Sequence, residues 1–110
     1  MWSNYHVEHI YENIIDIYTF IEWMSFDDFV LDKKTIKSVE RCLETLCQSV
    51  KDLWDEVYKI SSNIEWKDIA WMRDVLAHSY LYVSYDILWD IIINHLPQLK
   101  ESIEDYMWIW

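Results

Sequence analysis

The sequence predicts an all-α fold, an antiparallel four- to five-helix bundle occupying residues 1–110 as a single domain. Apolar residues recur every three or four positions along most of the chain, the spacing of helices with one buried face. One stretch keeps a strict heptad alternation over three repeats, which suits a long helix packed nearly parallel to a neighbour. No internal repeat, linker or low-complexity segment interrupts the pattern, so connections are short, as in a bundle.

The first helix aligns Val7, Ile10, Ile14, Ile17 and Ile21 on one face, and Ser3 or Asn4 can cap its start. Ser25-Phe26-Asp27-Asp28 reads as a turn. The next helix starts after Asp32, a good N-cap. Its apolar residues Ile36, Val39, Leu43, Leu46, Val50, Leu53 and Val57 alternate three and four apart. Ser61-Ser62-Asn63 is expected to end that helix and cap another carrying Trp66, Ile69, Met72, Arg73 and Leu76, with His78 near its end. Tyr80-Leu81-Tyr82-Val83 reads as a connector, and Ser84 as the cap of a helix with Ile87, Leu88, Ile91 and Ile92. Pro97 is expected to kink or end it, since its ring removes a helical donor and disfavours helix at Leu96. A last segment bears Leu99, Ile103, Met107 and Ile109.

A chain of 110 residues with 53% hydrophobic and 26% charged side chains is globular and large enough for a core. No apolar run approaches the roughly 18 residues that span a bilayer, and Met1-Trp2-Ser3-Asn4-Tyr5-His6 lacks the basic start and apolar core of a secretion signal. The expected location is cytoplasmic, without membrane association. Cys42 and Cys47 fit neither a CxxC nor a zinc spacing and read as reduced, buried apolar residues. The net charge of −11 excludes a general nucleic-acid coat protein, which would be basic. Phosphate chemistry would have to rest on a few basic groups gathered in a cleft. Glycine is absent, while tryptophan and tyrosine each number eight. Ordinary helix ends and tight turns favour glycine, so the composition reads as that of an altered or engineered sequence.

The stretch Arg73-Asp74-Val75-Leu76-Ala77-His78-Ser79-Tyr80 sets a guanidinium, an imidazole and a phenol in an R-x4-H-x-Y pattern. Arginine's planar fork of donors matches phosphate oxygens, and histidine exchanges a proton near neutral pH. The set suits binding or cleavage of a phosphodiester. Taken alone, an arginine and a histidine on a helix are more often structural.

The context adds to the motif. Residues 64–80, Ile64-Glu65-Trp66-Lys67-Asp68-Ile69-Ala70-Trp71-Met72-Arg73 through Tyr80, resemble the signature of HEPN toxins paired with minimal nucleotidyltransferase antitoxins. Val39-Glu40-Arg41-Cys42-Leu43-Glu44, Asp86-Ile87-Leu88-Trp89 and Leu96-Pro97-Gln98-Leu99 resemble the same family's other helices in order, so the likeness runs over roughly the whole chain. It implies a HEPN-like bundle that forms a homodimer and a metal-independent endoribonuclease needing no cofactor. It also implies a toxin of a type VII-like toxin–antitoxin system acting on tRNA or mRNA. Arg73 and His78 would be catalytic, Asp74 supporting, and Tyr80 the residue to which the partner nucleotidyltransferase transfers AMP. The alternative is a non-catalytic HEPN-fold module that binds the nucleotidyltransferase or nucleotides, with the missing glycines pointing to an engineered variant. Trp71, Cys47-Gln48-Ser49 and Tyr82 stand where the family commonly has glycine or a glycine-containing stretch. An indole at 71, seven residues before His78, is expected to crowd the cleft or the dimer contact.

Other features carry less. His6 and His9 share a helical face, and with Glu12 could bridge a metal, but they read as exposed surface residues. His95 reads as a helix-end residue. The Trp108-Ile109-Trp110 tail reads as folded onto the bundle or as a dimer contact. Asp27-Asp28 lacks the ligand series of a calcium loop.

Overall fold

The computed structural model describes residues 2–78 and 84–108, without the side chains at 2, 3, 75, 77 and 78. Helices α1 (Trp2–Phe20), α2 (Phe26–Leu31), α3 (Lys33–Leu53), α4 (Trp66–His78), α5 (Tyr85–Asp90) and α6 (Leu96–Trp108) succeed one another. A 3₁₀ segment, Trp54–Lys59, follows α3, and a π-helical turn, Ile91–His95, joins α5 to α6. Among the described residues there is no strand. None of their helices is long and apolar enough to cross a membrane.

α3 is the central strut, packed against α1 on one side and α4 on the other, while α6 returns to α1. The heptad residues Ile36, Val39, Leu43, Leu46, Val50, Leu53 and Val57 are all buried, as are Val7, Ile10, Ile14, Ile17 and Ile21 of the α1 face. Leu88, Ile92, Leu96, Leu99 and Ile103 complete the core from the C-terminal helices. Burying each such aliphatic side chain contributes about 1.5–3 kcal/mol. Tyr11 Oη and Lys100 Nζ both donate to Glu104 Oε2, at 2.9 and 3.1 Å, tying α1 to α6.

Two caps form as the sequence predicts. Asp32 Oδ1 accepts from the Thr35 amide at 3.0 Å, and Ser84 Oγ from the Ile87 amide at 3.3 Å. Ser3 and Asn4, in contrast, lie inside α1, which already begins at Trp2. The Ser25–Asp28 stretch is the start of α2 rather than a turn. Ser25 Oγ accepts from the Asp28 amide and Asp28 Oδ2 from the Ser25 amide, a reciprocal capping box.

Four further expectations need correction. The heptad helix stops at Leu53 rather than at Ser61-Ser62-Asn63, because Trp54 takes φ 49°, ψ −120° and turns the chain out of the helix. Trp23, in the turn after α1, has φ 67°. These are left-handed conformations that favour glycine, since a Cβ crowds the following carbonyl. In this glycine-free chain both fall to tryptophans, whose rings lie in solvent, 94% exposed at Trp23 and 60% at Trp54. The break expected at Pro97 does not occur: Leu96 is helical, at φ −62°, ψ −37°. The chain widens to π geometry just before the proline, and the Leu96 amide reaches back five residues to the Ile91 carbonyl. The wider turn makes room where the ring would otherwise press on the carbonyl four residues back. His95 lies in this turn inside a continuous helical run, its Nε2 3.2 Å from Asp90 Oδ2. Trp108 is exposed rather than folded onto the bundle. The connector read over Tyr80–Val83 lies outside the described residues.

Candidate functional site

α4 owes its position to Trp66, whose indole is buried and whose Nε1 donates to the Ser61 carbonyl at 2.7 Å. Ile69, Met72 and Leu76 pack against the core, which turns Arg73 toward α3 and α1. The helix runs through His78, so the backbone places 71 and 78 on one face of α4, as the spacing predicts. Trp71 is 67% exposed on that face. The His78 side chain and Tyr80 lie outside the described residues.

Arg73 opens into a polar cleft of about 330 Å³ between three helices. α1 contributes Tyr5, His6 and His9, and α3 contributes Arg41, Glu44, Thr45, Gln48, Ser49 and Asp52. The sequence contains two arginines, at 41 and 73, and both line this one cleft. His6 and His9 line it as well. That convergence was not visible from the sequence, where His6 and His9 read as exposed surface. Both are half-buried. The missed signal is a second helical stripe on α3, in which residues 41, 44, 45, 48 and 52 recur three and four apart, opposite the apolar seam.

The charges in and beside the cleft are mixed. Arg41 lies 3.7 Å from Glu44, and Arg73 3.5 Å from Asp74, which also meets Lys51 at 3.7 Å. These distances exceed those of a strong bidentate pair, and the groups are partly exposed, so each contact is worth little to stability. Gln48 Nε2 donates to Asp52 Oδ1 at 2.9 Å. Asp74 therefore lies between Arg73 and Lys51, where it can hold the guanidinium's end of α4 against α3.

Neither thiol competes for the chemistry. Burial pushes the Cys47 thiol up to about 12, and burial also raises Cys42. Both are free and buried, and a protonated thiol is a poor nucleophile. Among the described residues no group of three His, Cys, Asp or Glu side chains is placed to hold a metal ion. What the cleft offers is guanidinium groups for an anion, with two imidazoles beside them.

The profile of the family described as Ribonuclease HepT-like matches residues 10–106. The chain belongs to this family. The HEPN resemblance, read over roughly the whole chain, agrees with the span of this match. A Methanocaldococcus jannaschii protein named "Putative RNase MJ0127" is 42% identical over 96 residues, covering 87% of this chain and 79% of that protein. "Probable ribonuclease HepT" of Thermococcus cleftensis is 34% identical over 99 residues, covering 90% of each chain. No solved structure matches. The HepT-like assignment and the all-helical bundle agree, since the matched span runs from within α1 to the last turns of α6.

Proposed function

We propose that this HepT-like chain is a metal-independent endoribonuclease, the toxin of a type VII-like toxin–antitoxin pair, with Arg73 and His78 as its catalytic residues. The reading rests chiefly on one observation: in a chain of net charge −11, both arginines line the cleft into which the R-x4-H-x-Y helix delivers Arg73. Family membership and the relatives' names support ribonuclease chemistry.

Cleavage without a metal requires a base to take the 2′-OH proton and an acid to protonate the departing 5′-oxygen. The 2′-oxygen attacks the adjacent phosphorus, the P–O5′ bond breaks, and the products are a 2′,3′-cyclic phosphate and a 5′-hydroxyl. His78 serves as one proton carrier, a role worth typically 10²–10⁴-fold. The same residue of a second subunit supplies the other in a homodimer. Arg73 neutralises the charge that builds on the phosphorane, and Asp74 positions Arg73. A nucleotidyltransferase antitoxin silences the enzyme by transferring AMP from ATP to the Tyr80 oxygen, with loss of its proton and release of pyrophosphate, which adds bulk and negative charge beside the substrate phosphate.

The test is incubation with total tRNA and mRNA in excess EDTA, beside folded His78→Ala and Arg73→Ala proteins. Cleavage that survives EDTA, leaves cyclic phosphate ends and disappears in both variants is the expected result. A folded dimer that binds the nucleotidyltransferase but cuts no RNA would overturn the nuclease reading in favour of a binding module.

A further inference from the structure

We propose that the α1–α3 wall of the cleft is a nucleotide subsite for single-stranded RNA, with Tyr5 as the stacking platform and Arg41 as a second phosphate contact. This rests on the ribonuclease reading of Arg73 and specifies how the strand reaches it.

The cleft's volume, about 330 Å³, lies at the lower end of the range for small-ligand sites and suits a single nucleotide better than a duplex. At its rim Tyr5 is 62% exposed and carries a ring cluster with it. Its centroid lies 5.6 Å from His6 at an interplanar angle of 77°, and 6.0 Å from His9 at 41°. Three aromatic rings gathered at one mouth, beside guanidinium groups, are the combination by which proteins hold unpaired bases and the backbone between them. The bland alternative, a solvated polar face, explains scattered charges but not the collection of every arginine in the chain around one opening.

The acidic lining narrows the ligand further. Glu44 and Asp52 stand among the arginines, so a dense polyanion would meet repulsion as well as attraction. A phosphodiester-linked nucleotide carries one charge, and its 2′-hydroxyl and base amino groups are donors that carboxylates can accept. The hydroxyl is also what distinguishes RNA from DNA at such a site. Arg41, with three-quarters of its side chain exposed and a 3.7 Å contact to Glu44, can turn to a phosphate without disturbing the core. Arg73 would then hold the phosphate at the cleavage point, and Arg41 its neighbour along the strand.

The experiment measures anisotropy of a short labelled single-stranded RNA in a His78→Ala background, where binding is read without turnover. Tyr5→Ala and Arg41→Gln are each expected to raise Kd by about tenfold or more, with thermal melts unchanged because both side chains are exposed. An unlabelled duplex of the same sequence should compete poorly, and the DNA strand less well than the RNA. Unchanged Kd in both variants, alongside weakening by Arg73→Gln, would overturn the subsite while leaving the nuclease reading intact. RNA that fails to bind even the unsubstituted cleft, from a protein that also cuts nothing, would overturn both.

Discussion

α3 carries two stripes at the same helical spacing, and they do different work. The inner one, Ile36 to Leu53, is buried throughout and holds α1 and α4 in place. The outer one, running from Arg41 through Glu44, Thr45 and Gln48 to Asp52, lines the cleft. Ser49 and Cys47 lie buried between or behind them. One helix thus fixes the distance between the core and the candidate site. Loss of volume from the buried inner stripe is costly, whereas the outer one is partly solvated and contributes less to folding.

The sharpest break in that comparison is chemical. Arg73→Ala is expected to lower RNA cleavage by roughly 10²–10³-fold while leaving the melting curve close to that of the unsubstituted protein. Next is Leu43→Ala on the inner stripe, which should cost about 2–5 kcal/mol in denaturant titration. The matching change on the outer stripe, Gln48→Ala, should stay within about 0.5 kcal/mol, and equal losses from the two would erase the distinction. A smaller effect, of opposite sign, is expected where α3 ends. Trp54→Gly relieves a left-handed residue and should raise stability by about 1 kcal/mol, and Trp23→Gly should act the same way at the end of α1.

The mildest test is acid. Hydrogen bonds from Ser25 hold the Asp28 carboxyl below its ordinary value, those from Thr35 do so for Asp32, and those from Tyr11 and Lys100 for Glu104. A depressed carboxylate stabilises the fold above its unfolded pKa, about 4, and that contribution is lost as pH falls through the lower folded value. Melting temperature should therefore decline below about pH 4, and Asp32→Asn should flatten the decline.

Periodic apolar residues made the core legible, because burial requires the same spacing wherever a helix packs. The caps at Asp32 and Ser84 were legible because their side chains act on their own backbone. Ser25 was missed because its partner three residues on is Asp28, where the familiar box has Glu or Gln. The end of α3 was hidden for a different reason: the heptad continues to Val57, which stays buried after the helix has stopped. No glycine marks the turn at Trp54. The widened turn before Pro97 is a tertiary outcome that local rules for proline do not supply. Of the candidate site, the motif and the register of 71 and 78 could be read along the chain. The meeting of Arg41, His6 and His9 with Arg73 could not, since it depends on how three helices cross.

The pairing of each cleft arginine with a carboxylate has a consequence for salt. An RNA phosphate that takes Arg41 from Glu44, or Arg73 from Asp74, displaces a protein group that was already neutralising the cation. The ions returned to bulk water are those condensed on the phosphates that are held, and two phosphates hold few. With two phosphate contacts the slope of log K against log salt is shallow, roughly −1.4 for a single strand. Affinity should then fall only about sevenfold between 50 and 200 mM salt, against the 10³–10⁵ of a protein gripping six to ten phosphates. Such a protein, with a net charge of −11, would take hold of RNA where one unpaired nucleotide can enter.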